Sequence, residues 1–309
     1  QVRKIWRANV EIGVGLDPSL NLSRAEEAQV SQEAARLGYT SIWTPEGTGQ
    51  DSFQVCAQRW SASREVVPAG LTTGIAVSPV MYRTPVAFAM SAGTLSGMTD
   101  GKFVLGIGSG GAHTPGGRRS MGLPRISALS MMRDYLTTTK TLLAGDVVDY
   151  EGQVVQIRGV KLDIDPPPRT PVYLGALGPE MLRLSGELAD GASLNWCTPE
   201  QVAWSRERIA EGAARADRDP ADVRVAEYIR VCVDDDVEAA RNAFARATMG
   251  YAMGRRGASE RERSLGYRAH FERMGFTDEL AWLDRMRAGG VSRDVLADAF
   301  PTELLQSVG

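Results

Sequence analysis

The stretch Pro171-Val-Tyr-Leu-Gly-Ala-Leu-Gly-Pro-Glu-Met-Leu-Arg-Leu-Ser-Gly-Glu-Leu-Ala-Asp-Gly191, carried on through Ala192-Ser-Leu194, contains one whole repeat of the architecture. Residues 172–174 form an apolar run too short for a helix, and glycines punctuate 175–178. Residues 179–188 then carry apolar side chains at helical spacing, and 192–194 opens a second short apolar run. Strand, helix and strand in that order describe a parallel pair, because the crossover helix has to pack back onto the sheet. Runs without polar alternation belong to strands buried on both faces, the condition of a parallel sheet covered by helices.

The same alternation extends outward in both directions. Upstream, strands are expected at 10–16, 41–44, 71–77 and 103–107, and downstream at 223–233. Helices start where the cap chemistry says they should: Ser23-Arg-Ala-Glu26 is a capping box, Asp51 precedes a second helix, Thr84-Pro85 is a cap followed by a first-turn proline, and Thr198-Pro-Glu-Gln201 is a second box. A glycine-rich loop at 108–122 leads to a helix at 126–143, a hairpin is expected at 147–157 around Glu151-Gly152, and Pro166-Pro-Pro168 is a rigid connector. Residues 250–309 carry helical patterns and no convincing strand. Seven βα units without a break favour an α/β fold of the (β/α)8 TIM-barrel type over a doubly wound sheet. The expectation is one domain over 1–309 with insertions at about 111–125, 144–170 and 250–300. Its eighth βα unit is incomplete, and is expected either from chain beyond Gly309 or from a substitute within 250–309.

Composition narrows the function. With 43% hydrophobic and 24% charged residues and a net charge of −3, the chain is too apolar for disorder and has no basic excess for a nucleic-acid partner. Three cysteines, Cys56, Cys197 and Cys232, show no paired spacing, so neither a disulfide framework nor a metal site is readable. Arg3, Lys4, Arg7 and Glu11 interrupt the amino end, and no 18-residue apolar run occurs, so no membrane partner and a cytoplasmic location are expected.

In a βα barrel the chemistry lies at the carboxyl ends of the strands. That rule selects Trp43, Glu46 and Asp51 after the second strand, Ser78 and Arg83 after the third, and Ser109, Gly110 and His113 after the fourth. It also selects Gly175-Ala176-Leu177-Gly178 after the fifth and Trp196 after the sixth. A glycine turn that delivers the chain into a helix start presents free amides and a positive dipole end to an anion, for which a cofactor phosphate is the natural occupant. The competing reading is a tight βα turn with no ligand.

Here a family resemblance becomes specific. The opening segment resembles the signature of the bacterial luciferase-like superfamily, in particular its branch dependent on the deazaflavin coenzyme F-420, which includes methylenetetrahydromethanopterin reductases. Leu37-Gly-Tyr-Thr-Ser-Ile-Trp-Thr-Pro-Glu46 with Asp51, Gly74-Ile-Ala-Val-Ser-Pro-Val-Met-Tyr-Arg-Thr-Pro85 and Leu95-Ser-Gly-Met-Thr-Asp-Gly-Lys-Phe-Val-Leu-Gly-Ile-Gly-Ser-Gly110 agree with it, in the family's order. The resemblance implies a luciferase-type barrel with a flavin-like ring across its open end and the ring's phosphate near 175–178. It also implies a cis peptide at Ala76-Val77 behind the ring, with Ser78, Arg83, Ser109 and Gly110 in the same pocket. The sequence departs from part of the branch in having Pro45-Glu46 where some members have an Asp-His pair, and Gly111 where the sugar-phosphate dehydrogenases have Glu.

Each candidate carries two readings. Glu46 is a proton-handling carboxyl raised toward neutrality by burial, or a solvated loop carboxylate. Asp51 is a pocket residue or a helix cap. His113 is a proton shuttle or a surface histidine, and Arg83 pairs with an anionic group or caps carbonyls. Trp43 and Trp196 wall the substrate pocket or simply pack, and His270 is structural. The leading function is an F-420-dependent oxidoreductase that moves a hydride to or from a small organic substrate. The alternatives are an FMN-dependent two-component monooxygenase, which needs a separate reductase, and a flavin-binding protein without turnover. The family implies a homo-oligomer.

Overall fold

The computed structural model describes residues 10–164, 170–254 and 257–309. The proline connector at 166–168 and residues 1–9 lie outside the described residues. The strands are β1 (Gly13–Gly15), β2 (Ser41–Thr44), β3 (Thr72–Ile75), β4 (Ser78–Pro79), β5 (Phe103–Gly108), β6 (Val148–Glu151), β7 (Gln156–Val160), β8 (Val172–Gly175), β9 (Gly191–Asn195) and β10 (Arg224–Tyr228). The helices are α1 (Arg24–Arg36), α2 (Ser52–Arg64), α3 (Pro85–Met98), α4 (Pro115–Ser120), α5 (Ala128–Leu143), α6 (Pro179–Leu188), α7 (Pro199–Arg215), α8 (Val237–Ala252), α9 (Glu260–Ser264), α10 (Tyr267–Arg273), α11 (Thr277–Ala288), α12 (Arg293–Asp298) and α13 (Thr302–Val308).

The chain divides into two compact units. The first holds the described residues up to Ala112, together with Arg125–Gly175 and Leu188–Gly191. Its strands run in the order β1-β2-β3-β5-β8, all parallel, with the short β4 also on β5. Gly13 pairs with Ser41, Ser41 with Thr72, and Leu105 with Val172. The antiparallel β6–β7 hairpin is tied to α5 by Asp134, whose buried carboxylate accepts the Tyr150 hydroxyl at 2.8 Å and the amides of Val154 and Val155 at 2.7 and 3.1 Å. Ile42, Leu16, Leu71, Ala34 and Ala35 form an apolar cluster between β2 and α1.

The second unit holds His113–Pro124, Ala176–Glu187 and Ala192–Gly309. Its core gathers Trp196, Met249, Phe271, Leu280, Leu283, Phe300 and Leu304. Residues 250–309 contain helices and no strand among the described residues, so no substitute eighth strand forms there.

Local chemistry explains the helix starts. Ser23 and Glu26 satisfy each other's amides in a complete capping box, Asp51 accepts from Phe53 and Gln54, and Thr84 accepts from Ala87 ahead of Pro85. At α7 Thr198 accepts from Gln201, and Gln201 spends its side chain on Ser205, so the second box has one arm rather than two. The expected strand over 223–233 stops at Tyr228, leaving Ile229, Val231 and Val233 exposed at 65%, 78% and 89%. Apolar alternation alone does not hold a strand without a neighbour to complete its ladder.

Candidate active site

The Ala76–Val77 peptide is cis, as the family resemblance implied. It lies between β3 and β4, where the chain leaves the ladder and returns to it: the Ala76 amide donates to Thr44 O at 2.8 Å, and Val77 O accepts from the Glu46 amide at 3.4 Å. The Val77 side chain fits because three neighbours have none. A Cβ on Gly108 would lie 2.6 Å from Val77 Cγ2, and one on Gly106 or Gly175 would lie 3.2 Å from a Val77 methyl. At Gly106 it would also meet Ile75 O at 2.0 Å, which real side chains never do.

Beside this bulge stands an ion cluster. Glu46 is 2% exposed at its side chain, and both of its oxygens are engaged by Arg83: Nη1 to Oε2 at 2.6 Å and Nη2 to Oε1 at 2.7 Å. The Ser78 hydroxyl donates to Oε2, and the Ser52 amide donates to Oε1 at 3.1 Å. Arg83 Nη2 reaches Asp51 Oδ2 at 2.6 Å, and its guanidinium lies 5.0 Å over the Phe53 ring and 5.6 Å over that of Phe88. The expectation that burial would raise Glu46 toward neutrality is corrected here. Burial does act to raise it, but the hydrogen bonds from Arg83, Ser78 and the Ser52 amide, with the guanidinium's charge, outweigh that and hold its carboxyl below the ordinary value. Asp51 is likewise held low against its own desolvation by Arg83 and the cap amides. Glu46, Asp51, Ser78 and Arg83 therefore come together as one fully ionised support rather than as an acid.

Among the other candidates of the first unit, Ser109 is half-buried, and Gly110 adopts φ +52° with Pro79 and Met81 against it. Trp43 packs its ring over Gly74, tilted against Tyr173 at 6.2 Å, and donates from Nε1 to Ser41 Oγ at 2.9 Å. The His113 side chain lies outside the described residues.

In the second unit, Ala176 is buried and its amide donates to Ser193 O at 3.1 Å. The amides of Gly178, Glu180 and Met181, at the amino end of α6, have no partner among the described residues, and a Cβ on Gly178 would meet nothing within 4 Å. The turn is thus open and its amides are available to an anion. Arg273 stands beside it, donating to Leu177 O at 3.0 Å and lying 5.0 Å over the Trp204 ring. Trp196 is fully buried with φ +58°, against Phe244, Tyr251 and Phe271, and so belongs to the core.

Sequence reading missed a second group, at the ends of β9 and β10: Asn195, Cys197, Glu227, Arg230, Tyr267, His270 and Arg273. Applied to the true end of β10, the strand-end rule draws attention to Glu227, next to the last strand residue; a strand drawn to residue 233 puts that end five residues too late. His270 and Arg273 come from a helix more than 70 residues further on in the chain than Asn195 and Cys197, and no local signal marks that meeting. No group of three or more His, Cys, Asp or Glu is placed to hold a metal, and no helix is long and apolar enough to cross a membrane, among the described residues.

Comparison with known proteins accords with this layout. A family model described as luciferase-like monooxygenase matches residues 9–302. A 5,10-methylenetetrahydromethanopterin reductase from Methanolobus tindarius is 32% identical over 228 residues, covering 74% of this chain and 66% of that one. A reductase of the same name from Archaeoglobus fulgidus is 32% identical over 170 residues, 55% of this chain and 50% of that one. The chain thus spans half to two thirds of the length of these curated relatives. The solved coenzyme F-420-dependent tetrahydromethanopterin reductase of Methanopyrus kandleri superposes with a TM-score of 0.75 at 21% identity, over 98% of this chain and 86% of that one; the shared fold is the luciferase-like (β/α)8 barrel. Its parallel βα order and a family match from residue 9 to residue 302 make the chain a member of the luciferase-like monooxygenase family.

Proposed function

We propose that the protein is an F-420-dependent oxidoreductase that transfers a hydride between the deazaflavin ring and a small organic substrate. The observation that carries the reading is the buttressed bulge: a backbone step at Ala76–Val77 cleared by Gly106, Gly108 and Gly175 and fixed by Glu46, Ser78 and Arg83. Such a step offers a planar ring a backing that does not yield, which is what hydride transfer asks of a protein: one face held and the other open to substrate. The residues fit the cofactor in two further respects. The open amides at the start of α6, with Arg273, suit an anionic tail, and Ser109 and Gly110 leave the chain after β5 narrow enough for close approach. The name of the Methanopyrus kandleri reductase, which gives coenzyme F-420 as its cofactor, supports the deazaflavin over FMN.

When bound, the deazaflavin supplies or accepts the hydride. The chain's own work in the first unit is to hold the ring's back at 76–78 and to fix that step through the Glu46–Arg83 pair; in the second unit, taken by itself, the turn at 176–181 offers its amides to an anion. Substrates of the C=N, C=O or activated C=C kind are the class to which a hydride can be added. The test is titration of the purified protein with F-420 and with FMN, followed by ring absorbance and fluorescence. Binding of F-420 about tenfold or more tighter is expected, which is about 1.4 kcal/mol. A preference of that size for FMN, with oxygen required to consume the reduced cofactor, overturns the reading in favour of a monooxygenase.

A further inference from the structure

The helical part of the second unit holds a cavity of about 400 Å³ that shares no residue with the Glu46 cluster or with the turn at 176–181. It opens between the carboxyl half of α8 and the turn from α11 into α12. Met249, Met253 and Leu296, all buried in the core of this unit, form an apolar floor, and Val291 packs beside them. A volume of this size falls within the range of small-ligand pockets, about 300–1,000 Å³. Two glycines keep the mouth open: Gly250 and Gly290 are exposed at the rim, and a Cβ on either would meet nothing within 4 Å. Gly290 takes φ +83°, so the turn favours a residue without a side chain there.

The polar part of the wall is cationic. Arg287 and Arg293 line the cavity, and among the described residues no acidic side chain does. Arg293 is exposed and donates from Nη2 to Arg246 O at 3.3 Å; its remaining N–H groups meet no acceptor among the described residues. Its neighbour Asp294 is taken by Arg246 Nη1 at 2.9 Å, so that carboxylate does not neutralise it. Arg287 is spent on structure: it donates to Gly254 O at 3.0 Å and Met253 O at 3.3 Å, which closes the carboxyl end of α8, and to Asp284 Oδ1 at 2.7 Å. Arg293 therefore offers the donors, and Arg287 adds positive charge behind it. A smaller neighbouring cavity, of about 230 Å³, shares Met253 and Arg287 but takes Asp284 into its wall and lacks the rest of the apolar floor, so an anion is favoured in the larger one.

We propose that this cavity binds a medium-chain aliphatic carboxylate, its headgroup on Arg293 at the rim and its chain over Met249, Met253 and Leu296. The planar fork of a guanidinium matches the two oxygens of a carboxylate. Thioether side chains are unbranched and polarizable, so a methionine floor adapts to a flexible chain, and each methylene removed from water adds to affinity. The alternatives answer only half of the site: an inorganic anion leaves the floor uncovered, and a neutral lipid leaves Arg293 unmatched. The site lies wholly within the second unit and stands apart from the oxidoreductase reading.

Octanoate below its micelle concentration is the probe. Calorimetric titration is expected to show one saturable site that binds octanoate about tenfold tighter than octan-1-ol, about 1.4 kcal/mol, and does not bind octylammonium. In protein labelled with [methyl-13C]methionine, the signals of Met249 and Met253, identified by Met249→Leu and Met253→Leu, are expected to shift with octanoate, while those of the exposed Met90 and Met98 in the first unit stay. Arg293→Gln, at an exposed position, is expected to lose about tenfold in octanoate affinity and none for octan-1-ol. Gly250→Leu, whose Cβ starts in open space at the rim, is expected to weaken both. The site is overturned by the absence of saturable binding, by equal affinity for octan-1-ol or for inorganic phosphate, by an unchanged affinity in either variant, or by shifts at Met90 and Met98 in place of Met249 and Met253. None of these outcomes depends on F-420.

Discussion

Two glutamates near strand ends show how neighbours decide what a carboxyl does. Glu46 has four hydrogen-bond donors on its two oxygens and a guanidinium in contact, so it stays charged although it is buried. Glu227 has one amide and an oxygen with no partner, so burial prevails. The consequences for stability have opposite signs. Glu46, held low, contributes fully above the unfolded carboxylate pKa, and that contribution is lost as pH falls through its folded value. Glu227, raised to about 7, contributes fully below 4.5 and loses that contribution as pH rises to about 7. Glu227→Gln is therefore expected to flatten the decline of unfolding free energy between those pH values, an effect of up to about 3 kcal/mol by urea titration. Glu46→Gln at pH 7 is expected to cost about 2–4 kcal/mol, because it leaves Arg83 half-buried with only Asp51. If Glu46→Gln instead keeps the parent's urea midpoint, the pair is not a support. Glu46 was legible in the sequence as a strand-end residue and Glu227, inside the strand expected over 223–233, was not; the ionisation of Glu46 could not be read there either, because Arg83 is 37 residues away.

Among the elements, the β3–β4 bulge depends on the strands beside it. Gly106→Ala puts a Cβ 2.0 Å from Ile75 O, so it is expected to disrupt the β3–β5 contact and lower the yield of soluble protein; Gly47→Ala, with nothing within 4 Å of its Cβ, leaves folding unchanged. Gly178→Ala separates folding from binding. Its Cβ meets open space, so the unfolding midpoint is expected to hold while F-420 affinity falls about tenfold, as the methyl occupies the approach to the α6 amides. Equal affinity for F-420 in Gly178→Ala would remove the turn from the cofactor site. The helix caps at Ser23, Asp51 and Thr84 were legible because each is a contact within three residues. The end of β10 was not, because a strand ends where its partner does.

For the whole molecule, a ligand that binds only the folded state adds stability by mass action. F-420 at a hundredfold excess over its Kd is expected to add about 2.7 kcal/mol, read as a rise in Tm that FMN at the same concentration does not match. A larger rise with FMN would reverse the cofactor assignment. The order and parallel sense of the βα elements, the helix starts and the family were determined by the sequence alone, because apolar periodicity and caps are properties of neighbouring residues. The tertiary structure decided the rest: that Trp196 is core, that Glu46 is ionised, that Arg273 stands at the 175–178 turn and that Glu227 is left with an unanswered oxygen. These depend on partners such as Cys197 and His270, 73 residues apart, and the field at a carboxyl is set by whatever the fold brings within a few ångströms of it.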